Sequence, residues 1–234
     1  MRLLLGSGGF RTDERIRNLR AHLQSHLGKV ARVLFIPYAL HDHDKYLETM
    51  NERGLNAGYE LVGIHRAGNP REAVLQAEAI YIGGGNTFRL LNALYQFDLL
   101  DVIRERVRAG VPYVGISAGT NVACPTIMTT NDMPIVQPPS FAALGLAPFQ
   151  VNAHYYTGMN WVKHGDAFVE HFGETRDDRI REFHEMNDTP VIGLWEAGVL
   201  LCDGEKVTLH DAPARIFRKG QPPVDVQPGN RIVI

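Results

Sequence analysis

Only two cysteines occur in the 234 residues, Cys124 and Cys202, too few and too far apart for a disulfide framework or a thiolate metal site. They read as two reduced, buried thiols. No apolar run approaches the ~18 residues of a membrane span, and Met1-Arg2-Leu3-Leu4-Leu5 meets Gly6 before a signal-peptide core could form. A soluble, cytoplasmic protein is the expectation. Charge of one sign is lacking as well. A formal net charge of −2 provides no basic footprint for nucleic-acid phosphates, so the expected partner is a small molecule or short peptide, neither nucleic acid nor membrane. Room is left for a homodimer. With no internal repeat, low-complexity tract or linker, and 44% hydrophobic residues, one domain over 1–234 is expected.

What is present is an alternation of short apolar runs and helical periods. Arg2 to Leu5 reads as a strand, Gly6-Ser7-Gly8-Gly9 as a turn, and Asp13 to Leu27 as a helix on Ile16, Leu19, Leu23 and Leu27. A dinucleotide fingerprint would need glycine at position 11, where Arg11 stands. Further strands are expected over Ala31–Pro37, Tyr59–Ile64, Ala79–Ile82 and Pro112–Ile116, with helices over Asp44–Asn56 and Pro70–Ala77 between them. Such alternation predicts an α/β fold: a doubly wound, mainly parallel sheet with helices on both faces. Towards the C-terminus, Asp203-Gly204 marks a hairpin, and Ala214–Arg218 and Arg231–Ile234 are expected as antiparallel edge strands. Trp161 to Phe172 reads as a helix with His164, Asp166, Glu170 and His171 on its polar face. Thr175 or Asp177 would cap a following helix, Asp178–Met186. His41-Asp42-His43-Asp44 reads as a solvated loop, and no metal or cofactor is called for.

The chemistry gathers at Gly115-Ile116-Ser117-Ala118-Gly119. An apolar strand ending in a serine between glycines has the pattern of a nucleophile elbow, which pushes the hydroxyl outward at a strand-to-helix turn. The triple glycine Gly83-Gly84-Gly85 ends another strand at the same edge of the sheet. A backbone N–H from Gly84 or Gly85 would then pair with that of Ala118 as an oxyanion hole. A serine needs a base, usually a histidine oriented by a carboxylate. Of ten histidines, His154 lies best, after a short apolar run, with His41 close behind; Asp132 and Glu196 are acid candidates that spacing does not rank.

Longer motifs carry a resemblance. Phe35-Ile36-Pro37, Gly63-Ile64-His65-Arg66, Gly83-Gly84-Gly85-Asn86-Thr87-Phe88, Cys124-Pro125-Thr126-Ile127 with Thr129-Thr130-Asn131-Asp132-Met133-Pro134-Ile135-Val136, Asn152-Ala153-His154 and Gly173-Glu174-Thr175-Arg176 join the elbow. Over nearly its whole length the chain resembles the peptidase E family of α-aspartyl dipeptidases. That resemblance implies a class I glutamine amidotransferase-like fold with serine in place of the amidotransferase cysteine. It implies Ser117 as nucleophile, His154 as base, and either Asp132 or Glu196 as the acid, with Asp132 preferred. It implies hydrolysis of dipeptides with N-terminal aspartate through an acyl-enzyme. Arg176 and Asn86 are nominated as substrate-binding residues, Arg176 because a planar guanidinium suits the aspartyl carboxylate. The competing assignment for Arg176 is a surface arginine paired with Asp177 or Asp178. Ile116 stands where tryptophan is expected, and the segment 155–172 looks longer than in relatives. Rival activities are a cyanophycinase-like hydrolysis of β-aspartyl peptides and a non-catalytic binding module.

Overall fold

The computed structural model describes residues 1–234. The N-terminal half alternates as expected: β1 Arg2–Gly6, α1 Asp13–Leu27, β2 Arg32–Ile36, α2 His43–Glu52, β3 Glu60–Gly63, α3 Pro70–Leu75, β4 Ile80–Ile82, α4 Thr87–Gln96, α5 Leu100–Arg108, β5 Tyr113–Ile116 and α6 Ala118–Ala123. Then come β6 Gln150–Tyr155, β7 Asn160–His164, β8 Ala167–His171, α7 Arg176–Met186, β9 Val191–Trp195, β10 Val199–Asp203, β11 Lys206–His210, β12 Ala214–Phe217, β13 Val224–Val226 and β14 Arg231–Ile232. Polar side chains set the helix starts: Thr12, Asp42, Asn69 and Asn86 each accept a backbone N–H at an N-terminus, satisfying one of its orphan donors.

The main sheet has eight strands in the order β14-β11-β10-β1-β5-β4-β2-β3. Strands β1, β5, β4, β2 and β3 run parallel, and β10, β11 and β14 add an antiparallel edge. The parallel strands are apolar on both faces because helices cover both, and alternate residues supply two cores. Leu3, Leu5, Leu34, Ile36, Ile80 and Ile82 join one cluster, while Leu4, Val33, Phe35, Tyr81 and Val114 join the other.

Two features differ from the sequence reading. A second sheet, β13-β12-β9-β6, stands apart from the first, so β12 is not an edge strand of the main sheet. Its β6 and β9 are parallel neighbours. The other difference lies at 161–172, where the expected helix is the hairpin β7–β8. His164 pairs with Ala167 around Gly165-Asp166, and Gly165 has φ 62°, the backbone a tight hairpin turn asks of its first central residue. Both faces of the ribbon are exposed, so its side chains show none of the apolar alternation that marks a half-buried strand. The polar helix face proposed for His164, Asp166, Glu170 and His171 falls with the helix.

Candidate active site

Ser117 joins β5 to α6 with φ 53° and ψ −106°, a strained conformation for a side chain with a Cβ. The surroundings hold it there. Its N–H bonds to the Gly6 carbonyl at 2.8 Å, its carbonyl accepts the Asn121 N–H at 2.9 Å, and the Thr120 hydroxyl reaches the carbonyls of Gly6 and Gly115 at 2.8 Å each. The flanking glycines are required by contact. A Cβ on Gly115 would lie 2.4 Å from the Gly119 carbonyl oxygen, and one on Gly119 would lie 2.1 Å from that of Ile82.

His154 comes from the smaller sheet. It sits at an irregularity of β6 with φ 54°, and Nε2 lies 2.9 Å from Ser117 Oγ. Its backbone N–H donates to Ser7 Oγ at 2.8 Å, and that buried hydroxyl donates in turn to the Leu194 carbonyl at 2.8 Å. Ser7 thus ties the end of β1 to both parallel strands of the second sheet. The imidazole lies on Gly8, where a Cβ would come within 2.6 Å of Cε1. Gly6-Ser7-Gly8-Gly9 is therefore the bed of the imidazole. Sequence reasoning missed this role; a serine inside a glycine turn at the same edge of the sheet as the elbow was the available signal.

The carboxylate facing this histidine is that of Glu196. It follows β9, and its Oε1 lies 3.4 Å from His154 Nδ1, at the long end of hydrogen-bonding range. Its Oε2 faces Arg15 Nη1 at 3.6 Å, and a Cβ on Gly9 would collide with the carboxylate at 2.7 Å. Asp132 is turned elsewhere. Its Oδ2 accepts the Thr87 N–H at 2.8 Å, the Thr87 hydroxyl at 2.5 Å and the Thr130 hydroxyl at 3.1 Å, and it makes no bond to His154. An anion at the first turn of α4 satisfies orphan N–H groups and matches the helix dipole, so Asp132, the preferred acid candidate, lies at α4, and Glu196, the other candidate, lies at His154.

Asn86 also has its side chain engaged, accepting the Arg89 N–H at 3.0 Å and donating to the Met133 carbonyl at 2.8 Å. This is a helix cap, which leaves its nomination for substrate without a free polar atom in support. Arg176 has the opposite character. Its Nη1 donates to Asn131 Oδ1 at 2.5 Å and its guanidinium lies 5.2 Å over the Tyr156 ring, with no carboxylate paired to it. Asp177 is taken by Tyr155 and Arg215, and Asp178 by Thr175 and Arg181. Burial pulls the pKa of Arg176 below the usual arginine range, and its Nε is buried without a partner. Asn131 also donates to the Ala153 carbonyl at 2.8 Å, which fixes Arg176 beside the strand that carries His154. The Asn131-Asp132 pair thus works as a support for Arg176 and α4.

Gly84 sits against the nucleophile: a Cβ there would be 3.1 Å from Ser117 Cβ. Burial pushes the Tyr46 hydroxyl up to about 12, and a hydrogen bond from the Gly84 backbone partly offsets this. The Gly85 N–H has no partner. Ser117, His154, Gly84 and Gly85 are among the residues that line a cleft of about 360 Å³. Away from it, Asp42 caps α2 and Asp44 pairs with Arg66 and His65, so the His41–Asp44 stretch is engaged in local bonds. No helix is long and apolar enough to cross a membrane.

Comparison with known proteins places the chain in a family. A peptidase E of Streptomyces coelicolor is 46% identical over 201 residues, covering 86% of this chain and 80% of that protein. A probable alpha-aspartyl dipeptidase of Drosophila melanogaster is 44% identical over 220 residues, covering 92% of this chain and 89% of that one. A peptidase from an acI-B1 Actinobacterium has the same fold, with TM-score 0.69 at 19% identity over 100% of this chain and 96% of that chain. The model of peptidase family S51 matches residues 2–210. With the match covering the main sheet through β11, β6 and β9 of the second sheet, and every residue of the Ser117 site, the chain belongs to peptidase family S51 and is a serine peptidase.

Proposed function

We propose that this serine peptidase hydrolyses dipeptides with an N-terminal aspartate, with Ser117, His154 and Glu196 as its triad. The observation that carries the reading is the 2.9 Å contact of Ser117 Oγ with His154 Nε2, while Nδ1 faces Glu196. Ser117 attacks the peptide carbonyl as His154 takes its proton. Glu196 holds the Nδ1–H tautomer and stabilises the imidazolium. The oxyanion is received by the N–H groups of Ala118 and of Gly84 or Gly85. Loss of one such donor costs about 3 kcal/mol in the barrier. His154 then protonates the leaving amine, and water, deprotonated by the same imidazole, releases aspartate from the acyl-enzyme.

Aspartate selection is assigned to Arg176. A half-buried guanidinium with an unpartnered Nε and no carboxylate of its own is set up to accept one from outside. The similar proteins named peptidase E and probable alpha-aspartyl dipeptidase support the same substrate class. A panel of Asp-Leu, Glu-Leu, Asn-Leu and β-Asp-Leu, run with wild type and Ser117→Ala, tests the proposal. Turnover of Asp-Leu by wild type, lost by about 10⁴-fold or more in the variant, is expected. Preference for the β-linked peptide would move the assignment to a β-aspartyl hydrolase. An Arg176→Ala variant that keeps normal Asp-Leu turnover would remove Arg176 from specificity.

A further inference from the structure

The cleft lined by Ser117 and His154 is also lined by Tyr46, Thr49 and Met50 of α2, and Arg176 is not among its lining residues. Phe10, Leu40, Met50 and Ile116 make its walls apolar, and Arg11 and Arg53 join its lining. Neither arginine is paired with a carboxylate. Arg53 Nη2 donates to the Phe10 carbonyl at 2.5 Å, which ties its guanidinium to the residue preceding Arg11 and leaves its remaining N–H groups without a protein partner. At about 360 Å³ the cleft is near the lower end of small-molecule sites, roughly 300–1,000 Å³, a size for one residue and not for a longer peptide.

We propose that this cleft seats the leaving amino acid, and that Arg53 and Arg11 hold its free C-terminal carboxylate. The assignment rests on the aspartyl-dipeptidase reading and adds a specificity site to it. A dipeptide with N-terminal aspartate carries two carboxylates, one on each side of the scissile bond. The protein presents cations without acidic partners in two separate places near the Ser117–His154 pair: Arg176, tied through Asn131 to Ala153 and outside the cleft lining, and Arg11 with Arg53, which line the cleft. One set matched to each carboxylate fixes the peptide's direction across the nucleophile. The apolar walls receive the side chain of the leaving residue, and the arginines receive a charge that an internal peptide bond or an amide does not carry. Restriction to dipeptides then follows from these two residues as well as from the length of the cleft.

The test compares Asp-Leu with Asp-leucinamide, which keeps the scissile bond and side chains but lacks the terminal charge. Wild type is expected to favour Asp-Leu by tenfold or more in kcat/KM. Arg53→Ala should lower kcat/KM on Asp-Leu by about 10- to 100-fold, mostly through KM, the size of one charge-assisted pair. On Asp-leucinamide the same variant should stay within about twofold of wild type. Arg11→Ala should show the same pattern with a smaller loss, and Arg176→Ala should lower both substrates alike. Equal losses on both substrates in Arg53→Ala would mean that its bond to Phe10 merely supports the loop under His154, and the proposal falls. It falls as well if wild type cleaves the amide as fast as the acid, or if neither cleft arginine matters on Asp-Leu. Failure of wild type to cleave either substrate would instead overturn the aspartyl-dipeptidase reading, and this assignment with it.

Discussion

Ser117 stands on the larger sheet, and His154 and Glu196 on the smaller one, and the two sheets hold their residues in different ways. The nucleophile is over-determined: backbone bonds on both sides, a threonine hydroxyl shared between two carbonyls, and glycine contacts that admit no Cβ. The base depends on one hydroxyl, that of Ser7, which crosses from β1 to His154 and Leu194. Glu196, the carboxylate at the imidazole, is held least, with its side chain 53% exposed and a 3.4 Å approach to His154. Placement therefore loosens from Ser117 to His154 to Glu196, and a variant at each step measures how far catalysis depends on it.

The largest effect is expected at the acid. Glu196→Gln should lower kcat by about 10²- to 10⁴-fold with little change in KM, because an amide no longer enforces the tautomer or stabilises the imidazolium. Asp132→Asn should behave as a lost helix cap: thermal stability falls by about 1–2 kcal/mol and kcat stays within about tenfold of wild type. Steady-state kinetics beside thermal melts read both. If Asp132→Asn abolishes turnover in a folded protein while Glu196→Gln does not, the acid belongs to the Asn131–Asp132 loop after all.

The well-held sheet carries its own acid sensitivity. His26, at the end of α1, is buried and bonds the Tyr113 carbonyl of β5 at 3.0 Å. Burial first, and the Arg2 cation second, lower its pKa from 6.5 to about 4. The unfolded chain takes up a proton near 6.5 and the folded chain only near 4. Between those values the unfolded state binds more protons, so stability is lost as pH falls through this window, by about 3 kcal/mol in all. His26→Gln, which can still donate to the carbonyl but does not titrate, should flatten denaturant midpoints across pH 6.5 to 4. An unchanged slope would assign the acid loss to other groups.

A smaller loss is expected at the bridge between the sheets. Ser7→Ala leaves the His154 N–H and the Leu194 carbonyl without their partner, a cost of about 1–3 kcal/mol for buried groups. Part should appear as lower stability and part as a drop in kcat at constant KM, as the imidazole loses its fixed approach to Ser117. A variant that loses stability alone would show that the second sheet keeps His154 in place without Ser7.

The same contrast decides what could be read from the sequence. The inner parallel strands were legible because they are apolar runs buried on both faces, and the elbow because its glycines are forced by contact. His154 was legible as a residue ending an apolar strand, yet nothing in periodicity placed that strand in a second sheet. The acid was open because Asp132, in the irregular segment after α6, and Glu196, after β9, are both carboxylates that sequence spacing does not rank. What separates them is which loop crosses the main sheet at Gly8 and Gly9, a long-range fact. Arg176 was found by resemblance, whereas Arg11 and Arg53 gain meaning only through a cleft assembled from distant segments.

The hairpin β7–β8 marks the other end of the scale from the elbow. Trp161 is 61% exposed and Phe168 67% exposed, and no residue of either strand joins a core cluster. Its base is fixed near the site, since Tyr156, beneath Arg176, donates to Asn160 Oδ1 at 2.7 Å, but its length extends beyond anything that packs on it. An isolated two-stranded ribbon is marginal in water, and its helical misreading has the same origin: with neither face buried, no side of the ribbon demands apolar residues at every second position. Replacing 161–170 by a short Gly-Ser turn, with Asn160 kept, should therefore change stability by no more than about 0.5 kcal/mol, the range of a surface substitution. The kcat on Asp-Leu should remain as in wild type, because Ser117, His154, Glu196 and Gly85 lie outside the excised strands. A melt several degrees lower would show that the ribbon packs on the body of the protein. A raised KM with unchanged kcat would show that it helps to hold the peptide beside Arg176.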